Sequence, residues 1–179
     1  MLPLAVDLDG TLIRGDVFTT AILRFCTEHP WNAVVFAAWL AEGRPNAKAK
    51  LAQRYPLNAE ALPYNEDLLD WLREQHALGR TLVLATAADR ADAEAVATHL
   101  GLFSRVFASD GRRNLKSRAK AQALREAFPA GFVYAGNETA DLKVWRAAKA
   151  AVVAYAPAWL ETRVAQEFEV ERIFRRSGR

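Results

Sequence analysis

The sequence predicts an α/β fold, a three-layer α/β/α core on a parallel five-stranded sheet with an inserted all-helical segment, and three observations carry that prediction. Five short apolar runs recur along the 179 residues: "PLAVDL" (3–8), "TLVLAT" (81–86), "RVFAS" (105–109), "FVYAG" (132–136) and "AVVAY" (151–155). Most are continuous rather than alternating, the pattern of strands covered on both faces. From residue 64 onward helical patterns alternate with these runs, and such alternation means a parallel sheet with right-handed crossovers. Between residues 15 and 63 the alternation stops and only helical pieces follow one another. The chain therefore divides into a core of residues 1–14 and 64–179 and a helical insertion of residues 15–63.

Each element has its own local reason. The insertion consists of "DVFTTAILRFCTEH", "PWNAVVFAAWLAEG" and "PNAKAKLAQRY", punctuated by Pro30, Pro45 and Pro56; Pro30 and Pro45 suit helix starts. Its middle piece carries Trp31, Val34, Val35, Phe36, Trp39 and Leu40, too many apolar groups for one narrow face. That piece either packs against its neighbours or presents an apolar wall to a ligand or membrane. Back in the core, "NEDLLDWLREQHALG" begins with Asn65 as N-cap and stops at Gly79, with Leu68, Leu69 and Leu72 on one face. The segment "DRADAEAVATHLG" repeats the design with Asp89 and Gly101, and "LKSRAKAQALREAFP" and "TADLKVWRAAK" supply two further helices.

Composition narrows the class. A hydrophobic content of 51% and a charged content of 25% are those of a globular chain. The single Cys26 excludes an intramolecular disulfide, reads as a small buried hydrophobe, and fits a reducing, cytoplasmic setting. Two aspartates stand where a secretory signal needs apolar residues, and the longest apolar run, "AAVVAYAPAWL" (150–160), falls short of the roughly 20 residues of a spanning helix. A net charge of +3 without an aromatic-interleaved basic stripe gives no reason to expect a nucleic-acid partner. The C-terminal "ERIFRRSGR" gathers positive charge, either as a solvated end or as a contact for acidic lipid or a partner. His29, His76 and His99 are scattered without ligand spacing.

The chemistry concentrates in "VDLDGTLIRGD" (6–16). Charged side chains are almost never buried without partners, yet Asp7 and Asp9 follow directly on an apolar strand. In a parallel sheet ligands bind beyond the carboxyl ends of the strands. Residues two apart in an extended chain point the same way, so both carboxylates address one pocket. Gly10 then permits a turn and Thr11 adds a hydroxyl. Two carboxylates so close repel, and a divalent cation is their natural partner.

The run "DLDGTL" resembles the first motif of the haloacid dehalogenase superfamily, whose members are mostly phosphoryl-transfer enzymes built on a Rossmann-like core. The resemblance implies that Asp7 is the nucleophile, forming an aspartyl-phosphate, and that Asp9 is the general acid/base. It implies that Thr86, ending "TLVLAT", holds phosphate oxygens together with the backbone N–H groups at Ala87 and Ala88. A lysine should neutralise the phosphate and nucleophile; "NLKSRAK" offers Lys116 and Lys120, and Lys116 is preferred because it begins the helix, near the carboxyl edge of the sheet. The last motif departs from the family: in "AGNETAD" Gly136 and Asp141 match, but Asn137 stands where a metal-binding aspartate is usual. The implied Mg²⁺ set is Asp7, Asp9, Asn137 and Asp141, with Asn137 a neutral oxygen ligand that weakens metal binding, or else a turn residue in a site that has lost its metal.

An aspartate at position 9 favours phosphate esters over carbon–halogen bonds within that superfamily, so the expected activity is a Mg²⁺-dependent phosphatase acting on a phosphorylated small molecule. The insertion takes the position of the family's small helical cap, as in phosphoserine phosphatase-like members. Stretches such as "LVLATAADR" and "YAGNETADLKVWRAAKAAVV" also resemble the haloacid dehalogenase-type domain that precedes 4-hydroxybenzoate-type membrane prenyltransferases, over residues 1 to about 155. That likeness implies a stand-alone relative or a piece of a longer protein, a prenyl or lipid-linked phosphate as substrate, and peripheral association with a membrane or a prenyltransferase. The competing expectation is a catalytically weak docking or regulatory domain of such an enzyme.

Overall fold

The computed structural model describes residues 1–110 and 112–176. Among them six strands form one parallel sheet: β1 (Leu4–Val6), β2 (Leu82–Asp89), β3 (Arg105–Ser109), β4 (Val133–Gly136), β5 (Ala150–Ala154) and β6 (Val170–Phe174). Their order is β3-β2-β1-β4-β5-β6. Eight α-helices accompany them: α1 (Val17–Glu28), α2 (Asn32–Ala41), α3 (Arg44–Arg54), α4 (Glu66–Ala77), α5 (Arg90–Leu100), α6 (Arg118–Ala127), α7 (Leu142–Trp145) and α8 (Ala158–Glu167). Alternate residues of each strand feed two separate cores. Leu4, Val6, Leu82, Leu84, Val133 and Ala135 pack with Leu68, Leu72 and Val96 of α4 and α5. Ala5, Val83, Ala85, Tyr134 and Val153 pack with Leu124, Trp145 and Val164 of α6, α7 and α8. Helices on both faces give the three layers.

The sheet has six strands, not the five expected. The segment 171–174 falls in the basic C-terminal "ERIFRRSGR", where Glu171 and Arg172 interrupt any apolar run. As an edge strand it tolerates charge on its open side. Glu171 accepts both guanidinium nitrogens of Arg80, which is only 6% exposed and also donates to the Leu2 carbonyl at 2.9 Å. Arg172 lies over the rings of Trp71 and Phe174. Of the tail, Ser177–Arg179 lie outside the described residues.

Helices α1, α2 and α3 pack on one another between β1 and α4, and α3 reaches the end of β2 and α5. The two connections that carry them are tied together: the Arg14 N–H donates to the Pro63 carbonyl at 2.8 Å and the Asn65 N–H to the Leu12 carbonyl at 2.9 Å. The Asn65 side chain joins this tie, donating to the Thr11 carbonyl at 2.6 Å, and makes no cap to α4 as the sequence had led us to expect. Asp89 does cap α5, accepting the Ala91 N–H at 3.0 Å, and Gly101 ends that helix at a φ of +65°. The apolar α2 divides between the two expected roles. Trp39 stacks on Phe25 with ring centroids 4.9 Å apart, whereas Trp31 and Val34 are 78% and 63% exposed, and no residue of the helix is fully buried.

Candidate active site

Strand order reverses around β1: the chain goes to β2 and β3 on one side and returns to β4, β5 and β6 on the other. Such a switch point opens a crevice beyond the carboxyl ends of the strands. Here it measures about 620 Å³, and Asp7, Asp9 and Gly10 lie on its floor. The Asp7 N–H donates to the Ala135 carbonyl of β4 at 3.0 Å, which locks the residue at the end of β1. Asp9 turns the other way along the crevice, one carboxylate oxygen accepting the Val17 N–H at the start of α1 at 2.9 Å. Burial pushes Asp9 up to about 6, against the pull of that bond.

The lysine that meets Asp7 is Lys120, not Lys116. Lys120 belongs to the buried stripe of α6 with Ala121 and Leu124, which points its ammonium under the crevice. Its Nζ donates to Asp7 Oδ1 at 2.7 Å and to the Tyr134 hydroxyl at 2.8 Å, and lies 3.9 Å from Asp141 Oδ1. Lys116 precedes the helix rather than starting it. Ser117, at a φ of +58°, swings the chain at that point, and the half-exposed Lys116 pairs with Glu138 at 2.9 Å on the rim. Burial opposes the Lys120 charge, but Asp7 and Asp141 outweigh it and hold the ammonium above the ordinary lysine value. Burial likewise drives Asp7 up to about 7, Lys120 resisting and Asp141 adding to the rise.

Tyr134, which the sequence reading did not single out, links the two halves of this network. Its hydroxyl, receiving a hydrogen bond from Lys120, donates to Asp141 Oδ1 at 2.7 Å. Burial raises its own proton affinity far above that of a free tyrosine. Asp141 Oδ2 accepts the N–H groups of Asn137 and Glu138 at 3.0 Å each. At 2% exposure with both oxygens engaged, Asp141 faces the interior and is not presented as a direct metal ligand, which corrects that expectation. It shapes the turn after β4 instead. The signal was a tyrosine at an inward position of a parallel strand, where a hydroxyl needs a buried partner.

That turn delivers Asn137 to Gly10. The Asn137 Oδ1 accepts from the Thr11 hydroxyl at 3.3 Å, and a Cβ on Gly10 would fall 2.2 Å from Asn137 Nδ2. With a φ of +73° as well, position 10 needs glycine. Thr86, expected to hold phosphate oxygens, lies within β2 at its carboxyl half. The residue is fully buried and its hydroxyl oxygen accepts the Ala88 N–H at 2.9 Å, which leaves its O–H to donate, and of Thr86, Ala87 and Ala88 only Ala87 lines the crevice. The insertion contributes what sequence reading overlooked. Lys48 of α3 donates to the Ala87 carbonyl and sits with its Nζ 5.3 Å from the Phe18 ring centroid, while Arg44, Lys116 and Arg176 add positive charge to the walls.

Among the described residues no three His, Cys, Asp or Glu side chains converge as a cation site. With Asp141 turned inward and Asn137 uncharged, two carboxylates remain. Asp7, Asp9 and the Asn137 amide oxygen are nevertheless hard oxygen donors gathered on one crevice, a set that fits Mg²⁺ with most of its waters retained.

No family model matches the chain. It is 42% identical over 152 residues to the uncharacterized protein y4nM of Sinorhizobium fredii, a match that covers 85% of this chain but only 30% of that protein's length. Among solved structures it is similar to a protein of unknown function from Bordetella pertussis, with a TM-score of 0.71 and 15% identity over 96% of this chain and 97% of that one. Phosphoserine phosphatase in its apo form superposes with a TM-score of 0.65 at 14% identity, covering 97% and 92% of the two chains. A HAD family hydrolase from Salmonella enterica serovar Typhi gives 0.63 at 13%, covering 99% and 69%. The fold is therefore the α/β fold of the haloacid dehalogenase-type hydrolases. No helix among the described residues is long and apolar enough to cross a membrane.

Proposed function

We propose that the chain is a phosphatase of the haloacid dehalogenase type, hydrolysing a small phosphate monoester through an aspartyl-phosphate with the assistance of Mg²⁺. The observation that carries this reading is the pair Asp7 and Asp9 at the switch point, with the buried Lys120 bound to one oxygen of Asp7 at 2.7 Å. In this reading the other oxygen of Asp7 attacks phosphorus. An O–P bond forms as the ester P–O bond breaks, and the leaving oxygen takes a proton from Asp9, whose buried setting favours the protonated form. Water then attacks phosphorus and gives its proton to Asp9. The Asp7 O–P bond breaks, inorganic phosphate leaves, and both carboxyl groups return to their starting state. Asp7, Asp9 and Asn137 would hold Mg²⁺, which when bound offsets the negative charge on phosphate and nucleophile. Lys120 orients Asp7, and Lys48 and Arg44 draw the anion inward. Helices α1 to α3 act as the cap.

The crevice walls contributed by the cap are Phe18, Thr19, Thr20, Arg44 and Lys48, and the apolar residues of α2 are not among them. A prenyl-linked phosphate thus belongs in a substrate panel without a dedicated wall to argue for it. A second reading, a catalytically weak docking domain, draws on Asn137 and on the exposed apolar residues of α2. Phosphate release from aryl, sugar, nucleotide and prenyl phosphates, with and without Mg²⁺ and beside Asp7→Asn, separates the two. Turnover that requires Asp7 and Mg²⁺ is the expected result. No turnover together with no Mg²⁺ binding by calorimetry would transfer the chain to the docking reading.

A further inference from the structure

A second cavity lies on the far side of Lys48 and plays no part in the chemistry above. Between α1, α3 and the first turn of α5 there is a cleft of about 380 Å³, and Phe18 and Lys48 form a wall common to it and the crevice. Its lining is chiefly apolar, with Val17 and Ala21 from α1, Leu51 and Ala52 from α3, and Leu62 beyond them. Asp92 interrupts this surface. It is 9% exposed, lines the cleft, and accepts no hydrogen bond or ion pair from any described residue.

The Asp92 carboxylate oxygens, unpaired within the protein, are open to the cleft, because no sealed side-chain oxygen among the described residues lacks a partner. Asp89 caps α5 alone, and the reciprocal bond that an acid in the first turn could accept from the cap's own N–H is not made. Burial first, then Asp89 and Asp9, push the Asp92 carboxyl up to about 7, with Lys48 pulling the other way. The cations near the cleft are committed elsewhere or turned outward. Lys48 donates to the Ala87 carbonyl, Arg24 lies 4.8 Å over the Tyr55 ring, and Arg14 is exposed. A desolvated carboxyl with acidic neighbours is complemented by a cation, and its apolar walls by a hydrocarbon body.

We propose that this cleft is a second binding site, for an organic ammonium ion with an apolar body, in which the ammonium meets Asp92 and the body lies against Leu51 and Ala52. The site is independent of the phosphatase reading and can be tested without metal or phosphate. Phenethylammonium and its neutral counterpart 2-phenylethanol serve as probes, titrated into the full chain and followed by ¹H–¹⁵N shifts. Wild type should bind the ammonium about tenfold more tightly than the alcohol, as a charged hydrogen bond warrants, with shifts at residues 88–92 and 51–52. Asp92→Asn should abolish that preference while leaving the alcohol unchanged, and Ala21→Phe, which fills the cleft from a half-buried position, should weaken both. Equal affinities in wild type, no saturable binding of the ammonium at millimolar concentration, or a preference that survives Asp92→Asn would each overturn the proposal. Should Asp92→Asn fail to fold, the wild-type comparison and Ala21→Phe still decide it.

Discussion

Replacing Lys120 by Met removes an ammonium from the interior at nearly constant side-chain length, and the structure sets the size of the effect. Lys120 and Asp7 are 3% and 6% exposed and 2.7 Å apart, so the substitution strands a carboxyl that water scarcely reaches. Removing one partner of such a pair costs about 3–5 kcal/mol, and loss of the donor to the Tyr134 hydroxyl adds about 1 kcal/mol. Asp7 can escape part of this by taking up a proton, at about 1.4 kcal/mol per pH unit. Burial already raises it from 3.8 to about 7 against the pull of Lys120, and without that pull it rises further. An acid whose folded value exceeds its unfolded one holds more protons when folded, so its contribution to stability falls as pH rises across that interval. The variant therefore diverges from wild type above about pH 7, where wild-type Asp7 has ionised and the variant's has not. Urea unfolding in EDTA should show a moderate deficit at pH 6 and a larger one at pH 9. Lys116→Met, which removes only a half-exposed pair with Glu138, should cost about 0–1 kcal/mol at either pH. With a substrate in hand, Lys120→Met should lose about 10²-fold in turnover or more, and Lys116→Met far less. Equal costs for the two variants, or a Lys120→Met deficit indifferent to pH, would refute the assignment of Lys120 as the partner of Asp7.

Three further outcomes follow from the same geometry. Gly10→Ala places a Cβ 2.2 Å from Asn137 Nδ2 at a φ of +73°, so thermal unfolding should show a loss of at least about 1 kcal/mol and catalysis should fall with the displaced amide. Asn137→Asp adds a charged oxygen ligand beside Asp7; calorimetry should find Mg²⁺ bound about tenfold more tightly, while stability in EDTA drops as carboxylates crowd. Arg80→Met removes the buried guanidinium that holds Glu171 of β6 and the Leu2 carbonyl, and about 2–4 kcal/mol of stability should go with it, hydrogen exchange rising first in β6.

Much of this architecture is legible in the sequence because it rests on local rules. The apolar run "RVFAS" marks β3 at its full extent, and Asp89 and Gly101 begin and end α5 as their side-chain oxygen and left-handed backbone require. The aspartates also follow from a local fact, two carboxyls at the end of an apolar strand. What escaped depends on contacts between distant segments. Whether Lys116 or Lys120 faces Asp7 turns on where α6 begins, and Ser117 sets that boundary with a backbone angle no residue pattern announces. The apolar stripe of α6 held the clue, since Lys120 stands four residues before Leu124 and so shares its buried face. Asn65 has the right type for a cap, but the carbonyl of Thr11, 54 residues away in sequence, takes its side chain instead. Edge strand β6 stayed hidden because its charges are partnered only once the sheet exists.

The site's electrostatics follow from how Asp141 is used. By accepting from Tyr134, Asn137 and Glu138 it gives up both oxygens to structure, and in doing so it fixes the turn that sets Asn137 against Gly10. The charge available to a divalent cation is thereby reduced to Asp7 and Asp9, and Lys120 offsets part of Asp7. In the phosphatase reading, attraction for an anionic ester correspondingly shifts to the chain's own cations around the crevice, Arg44, Lys48, Lys116 and Arg176. Two of these come from the helices inserted after β1, so in the same reading the inserted segment carries much of the anion recognition. Under that reading an uncharged residue at position 137 fits a working crevice: the charge it lacks toward a metal is matched by charge the insertion supplies toward a phosphate.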